Sequence, residues 1–310
     1  MTEFGHKKAL TESALIVAMV TFFIIGTLYI PMLYMALIIL PVPFILLSTR
    51  HGTRYTVISL IVTSFLIGFL AGPIYSIFIF MLSSPLALSM GYSIKKRNKP
   101  YEVIGFGTGI STLSIFALIQ LISLISGINI INEIAHMVQE VVKHQGDMLT
   151  NLDIGVIELK QAINYFMMIV PAMVIIQSMV GAFINYYLTS VIINRFQLAD
   201  YYLGEFSEFR LPRNIVLGSF IIFILSVFTS YIEGLKHSAL ILNITSIFLV
   251  VFFLQGISLV AYLLKKSKVP RFIRVSSIIL LILISPLMTI IAMLGVTDSI
   301  IDIRRIRNKE

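Results

Sequence analysis

The chain has 310 residues, of which 58% are hydrophobic and only 12% charged, about half the charged share of a soluble protein. Such a chain cannot cover itself with polar groups in water, which excludes a soluble globular domain and makes the bilayer its solvent. The net charge of +8 lies in short clusters between apolar runs, as in loops at an anionic membrane face and unlike a nucleic-acid surface.

A crossing needs about 20 apolar residues at 1.5 Å per residue. Nine stretches qualify: residues 11–30, 32–49, 55–72, 74–94, 102–126, 162–193, 214–232, 239–264 and 274–295. The expected fold is therefore all-α, a polytopic transmembrane helical bundle. Met1 to Lys8 is short and polar, and the run after it is too long for a signal-peptide core, so it reads as a retained first span. The second stretch carries Pro31, Pro41 and Pro43, which bend or break a helix unless neighbours satisfy the freed carbonyls. A cavity-lining or partly re-entrant element is expected there.

Basic residues set the orientation. Alternate loops hold 16 Lys and Arg on one side, from Lys7 through Arg274, against Lys143, Lys160 and Lys236 on the other. The richer side is cytoplasmic by the positive-inside rule, and the N-terminus goes with it. The tail conflicts with this: nine crossings place Arg304, Arg305, Arg307 and Lys309 outside.

The longest cytoplasmic connection, 195–213, divides six spans (1–194) from three (214–310). On the outer side, 127–161 contains Ile131, Ile134, Ala135, Val138, Val141 and Val142 at helical spacing with Glu133, Glu140 and Lys143 between them. That pattern predicts an amphipathic helix, either a cap in the headgroup region or a lid.

Signs of catalysis are scarce. Spans two to nine hold no Asp, Glu, Lys, Arg or His in their interiors, and Glu12, with Thr11 and Ser13 to share its hydrogen bonding, ends the first. No HExxH zinc motif or GxxxxGK[ST] phosphate loop occurs, and His6, His51, His136, His144 and His237 are scattered. Without Cys, disulfides and thiol chemistry are excluded. Neither an enzyme nor a cofactor or metal is expected.

Among the neutral polar residues inside spans are Gln120, Asn164, Gln177, Asn185, Asn243 and Gln255, more often interhelical hydrogen-bonders than ligand contacts. Tyr186 and Tyr187 beside Asn185 read as an interfacial belt. Ala14 and Ala18 share one face of the first span, as Gly68 and Gly72 do in the third, letting another helix approach closely. Asp298 and Asp302 share a face at the end of the last span, with Arg305 placed to pair with Asp302.

Several of these features together resemble the YybS-like family of uncharacterised bacterial membrane proteins: the Ala14/Ala18 start, the Pro-rich second span, Arg50-His51-Gly52, Phe209 to Arg213, and Gly295 to Arg305. The first six spans are also similar to the substrate-capture (S) components of energy-coupling-factor transporters, whose first helix docks through an Ala-xxx-Ala surface. That resemblance implies docking on a coupling subunit and its ATPase through Ala14 and Ala18. It also implies a solute pocket near Tyr29, Tyr34, Gly72, Pro73, Tyr75 and Asn164. Spans seven to nine have no counterpart there. The expectation is a multi-pass protein of the bacterial cytoplasmic membrane that captures a small solute for transport. The alternative is a scaffold that recruits cytoplasmic partners through its basic inner loops with Glu205 and Glu208.

Overall fold

The computed structural model describes residues 3–127, Glu133, His136, Met137, Glu140 and 156–304. Most of the amphipathic segment expected at 127–161 lies outside the described residues, as do Arg305, Arg307 and Lys309. Within it Glu133, His136, Met137 and Glu140 are helical and exposed.

Helix α1 spans Glu3–Tyr29, and a 3-10 helix over Pro31–Ile39 leads into α2, Pro41–His51. Then come α3 (Thr53–Ala71), α4 (Pro73–Lys95), α5 (Pro100–Ser126) and α6 (Val156–Phe196). The last four are α7 (Arg213–Phe228), α8 (His237–Lys266), α9 (Arg271–Leu283) and α10 (Ser285–Ile301). No strand occurs among the described residues. Two joints need glycine: Gly52 between α2 and α3 (φ 94°) and Gly72 between α3 and α4 (φ 98°), where a side chain would be strained.

Eight of these stretches are long and apolar enough to cross a membrane, counting Pro31–His51 as one. The expected ninth span, 274–295, is not one helix. Ile284 is extended (φ −91°, ψ 91°) and Pro286 sits at the start of α10, so the run breaks into α9 and α10. The pair forms either a broken span or a re-entrant loop. Contacts group the chain into two compact units that interleave along the sequence and do not follow the division at 195–213. The first is 1–115, 177–210 and 258–278; the second is 116–176, 211–257 and 279–310.

In hydrocarbon a backbone carbonyl with no donor is costly, and every proline inside a helix creates one. Two such carbonyls are answered from another segment, and a third helix is bridged beside its proline. Pro85 has no N–H to offer Met81 four residues back, and Ser114 of α5 donates to the Met81 carbonyl at 2.6 Å. Pro41 likewise leaves the Ile38 carbonyl at the end of the 3-10 turn, and Asn185 Nδ2 donates to it at 2.7 Å. Around Pro171 in α6, Asn243 Nδ2 donates to the Met168 carbonyl and Asn243 Oδ1 accepts from the Ala172 N–H. Those are the two groups an unbroken helix pairs directly, so one amide bridges the step beside Pro171.

Small residues allow close packing in the first unit. A Cβ at Gly91 of α4 would overlap the Cβ of Ser48 in α2, so these helices approach almost to backbone contact. Ser76 Oγ donates to the Ser64 carbonyl at 2.6 Å and ties α4 to α3.

Removing such a donor should cost about 1–2 kcal/mol, the usual range for interhelical hydrogen bonds in membranes. Ser114→Ala is expected to show that loss in unfolding measured in bicelles. Pro85→Ala should suppress it, because an alanine there restores an N–H for Met81. Strictly additive single and double mutants would refute the pairing.

Candidate functional site

Of the six neutral polar residues expected inside spans, three make interhelical bonds: Asn185, Asn243 and Gln255, which contacts Asp298. Gln120, Asn164 and Gln177 are exposed.

Ala14 and Ala18 are both exposed on α1, at the edge of the face on which Val17, Thr21 and Ile24 are buried. The first unit therefore leaves the alanine face uncovered. Gly68 behaves differently, since a Cβ there would contact Ser76 of the same chain.

At one end of the first unit, Tyr75 and Tyr34 come together with Thr27. Thr27 Oγ1 donates to the Ile24 carbonyl at 2.6 Å, so its 2.8 Å contact with Tyr75 has the phenol as donor. Tyr34 lies near enough to act on Tyr75 electrostatically. Thr27 is fully buried and had no distinguishing mark in the sequence. Tyr29 is 81% exposed, Gly72 and Pro73 form the α3–α4 joint, and Asn164 belongs to the second unit.

None of those six lines the cavity in this unit. It has a volume of about 330 Å³ and is walled by Met19, Val20 and Phe23 of α1, Ile39 to Pro43 without Pro41, and Leu188 and Ile192 of α6. All nine lining residues are apolar, so water would find no partner inside.

Two helical turns from the cavity along α1 and α2 lies a charged cluster. Glu12 Oε2 accepts from Arg50 Nη1 and contacts His51 Nε2, each at 2.7 Å. The expected sharing of Glu12 by Thr11 and Ser13 is not found: Thr11 donates to the Lys7 carbonyl instead, because Arg50 and His51, distant in sequence, reach Glu12 first. His6 and Tyr55 hydrogen-bond beside this cluster. A Cβ at Gly52 would meet the Lys95 ammonium, so Lys95 lies over the same joint.

The 195–213 loop is fastened down. Asn194 Nδ2 donates to the Leu203 carbonyl and its Oδ1 accepts from the Leu203 N–H. Ser258 Oγ lies within hydrogen-bond distance of the carbonyls of Phe206 and Phe209, and those two rings pack edge-on against Phe183 and Tyr187. Glu205 pairs with Lys265, and the hydrogen bond from that ammonium holds its carboxyl below the ordinary range despite partial burial.

In the second unit an ion pair is buried completely. Asp298 Oδ2 accepts from Arg304 Nη2 at 2.7 Å and from Gln255 Nε2 at 3.2 Å, and Gln255 Oε1 accepts from the Leu211 N–H. Helix α10 runs to Ile301, past the expected end of the span, which brings Asp298 into the packed region. Asp302 then adopts a left-handed turn (φ 56°), and the chain folds back so that Arg304 reaches Asp298. The expected pairing of Asp302 with Arg305 lies outside the described residues. Backbones touch beside this pair: a Cβ at Gly256 would land on the Ile291 carbonyl, and one at Gly295 on that of Phe252.

Asp298→Asn should destabilise the protein by about 3–5 kcal/mol by leaving the Arg304 charge buried without its counterion. Replacing both residues with leucine should recover most of that, measured by unfolding in the same bicelles. A fully tolerated Asp298→Asn would contradict the burial. For Glu205, the lowered pKa means its contribution is present above the ordinary carboxylate range and lost as pH falls through the folded-state value. Proteolytic cutting of 200–213 should accelerate below about pH 4, and Glu205→Gln should abolish that pH dependence.

No solved structure matches this chain. It is similar to "Uncharacterized protein YybS" of Bacillus subtilis (strain 168), at 25% identity over 299 residues, covering 94% of this chain and 96% of that protein. The similarity to energy-coupling-factor S components finds no support in these comparisons. The family model described as "Predicted membrane protein (DUF2232)" matches residues 17–299. With its helices long and apolar enough to cross a bilayer, this multi-pass integral membrane protein belongs to the DUF2232 family.

Proposed function

We propose that this protein is a non-enzymatic subunit of the bacterial cytoplasmic membrane that captures a small solute and docks on a coupling partner through α1. The observation that carries the reading is the exposed Ala14/Ala18 face: small residues that permit close helix approach stand uncovered. The solute-binding part is supported more weakly, by the apolar cavity in the same unit. A scaffold role through 195–213 is less favoured, because that loop is tied to its own unit by Asn194, Ser258 and Lys265.

In this proposal the N-terminus and the basic loops are cytoplasmic. The tail joins them: Arg304 is tied through Asp298 and Gln255 to Leu211, two residues before α7. Reading α9 and α10 as a re-entrant pair leaves eight crossings and puts the basic tail on the side its charge favours.

The chain has no Cys, so single cysteines test both points without background. Ala18→Cys should cross-link to another membrane protein in native membranes, whereas Phe65→Cys on exposed α3 should not. Asn98→Cys should be shielded from an impermeant maleimide in intact cells and Lys236→Cys labelled. Equal cross-linking from positions 18 and 65 would sink the docking face; reversed labelling would sink the orientation.

A further inference from the structure

The cavity walls and the charged residues nearby share a register. On α1, Glu12 lies seven residues before Met19; on α2, Arg50 lies seven after Pro43; on α6, Arg195 lies seven after Leu188. Seven residues are close to two full turns, about 10 Å along a helix, and keep a residue on the same face. Three cavity-facing stripes therefore run toward charges at the same end. The 2.7 Å Arg50–Glu12 contact shows that the first two converge.

That end is electropositive. Arg50 uses one of its five donors on Glu12, Lys95 lies over Gly52, and Arg195 makes no ion pair among the described residues. The wall itself is half open: Met19, Ile39 and Leu188 are 51%, 40% and 38% exposed, so the cavity is a groove facing the surroundings of the helix bundle. An occupant must be apolar within the groove and anionic about 10 Å away. A lipid of the bilayer has that form.

We propose that the groove between α1, α2 and α6 holds an acyl chain of an anionic phospholipid, with its headgroup on Arg50 and Arg195. The site does not rest on the docking reading, because the alanine face points away from it. At 100° per residue, Ala14 and Ala18 lie roughly 160° from the midpoint of the groove-lining Met19, Phe23 and Val20.

The chain has no Trp, so Leu188→Trp reports on the groove alone and Phe65→Trp on exposed α3 serves as the control. Purified full-length variants are reconstituted with phosphatidylglycerol or phosphatidylcholine carrying brominated acyl chains. Quenching at position 188 should favour the anionic lipid several-fold over the zwitterionic one, with no preference at 65. Arg195→Gln should reduce that preference about five-fold, as one basic residue contributes about 1 kcal/mol near an anionic lipid. Met19→Trp repeats the measurement if position 188 tolerates no indole. Equal quenching by both lipids at 188 and 19, or a preference that Arg195→Gln leaves intact, would overturn the site. Ala18→Leu should leave the quenching unchanged, so failure of the docking face is distinguishable from failure of this site.

Discussion

Lipid offers no hydrogen bonds, and much of this architecture follows from that one constraint on its proline-broken backbone. A helix kinked in water can let solvent take the freed carbonyl; one in hydrocarbon needs a partner from its own protein. Met81, Ile38 and the Met168–Ala172 step each receive a side chain from elsewhere in the sequence. These bonds pin α5 to α4, α6 to the 3-10 segment, and α8 to α6. Ser114, Asn185 and Asn243 are therefore first of all backbone partners.

The same constraint shapes the functional candidates. Because Asn185 takes up the Ile38 carbonyl, the chain can pass from a narrow 3-10 helix to α2 within the apolar region, and the groove lies beside that transition. The 3-10 form packs its side chains in eclipsed rows, so it fills space against α1 less evenly than an α-helix. An apolar hollow with charge two turns away is the result, and an amphiphile matches it better than a polar substrate.

The second unit solves a harder version of the problem. Burying Asp298 and Arg304 costs desolvation, which their mutual attraction offsets only with good geometry and further hydrogen bonds. Gln255 supplies one such bond while its other end holds the Leu211 N–H. The arrangement depends on Gly256 and Gly295, since side chains at these positions would force α8 and α10 apart. It has a topological consequence as well, because it ties the end of α10 to the start of α7.

Membership in the DUF2232 family accords with what local pattern carries well: apolar runs, proline positions and clustered charge. The sequence by itself determined that the chain is a multi-pass helical membrane protein, because apolar length and low charge permit no other solvent. It also marked six amide side chains as interhelical hydrogen-bonders, without identifying partners; Asn185, Asn243 and Gln255 make such bonds, whereas Gln120, Asn164 and Gln177 are exposed. Tertiary structure alone decided that Ala14 and Ala18 stay exposed while Gly68 faces Ser76, that Tyr75 meets Thr27, and that Glu12 belongs to Arg50 and His51. It also decided the break at Ile284 and the turn at Asp302 that sends Arg304 back to Asp298. Those outcomes depend on which distant group arrives first at a given carbonyl, carboxylate or glycine, and helical periodicity along one segment carries no record of that.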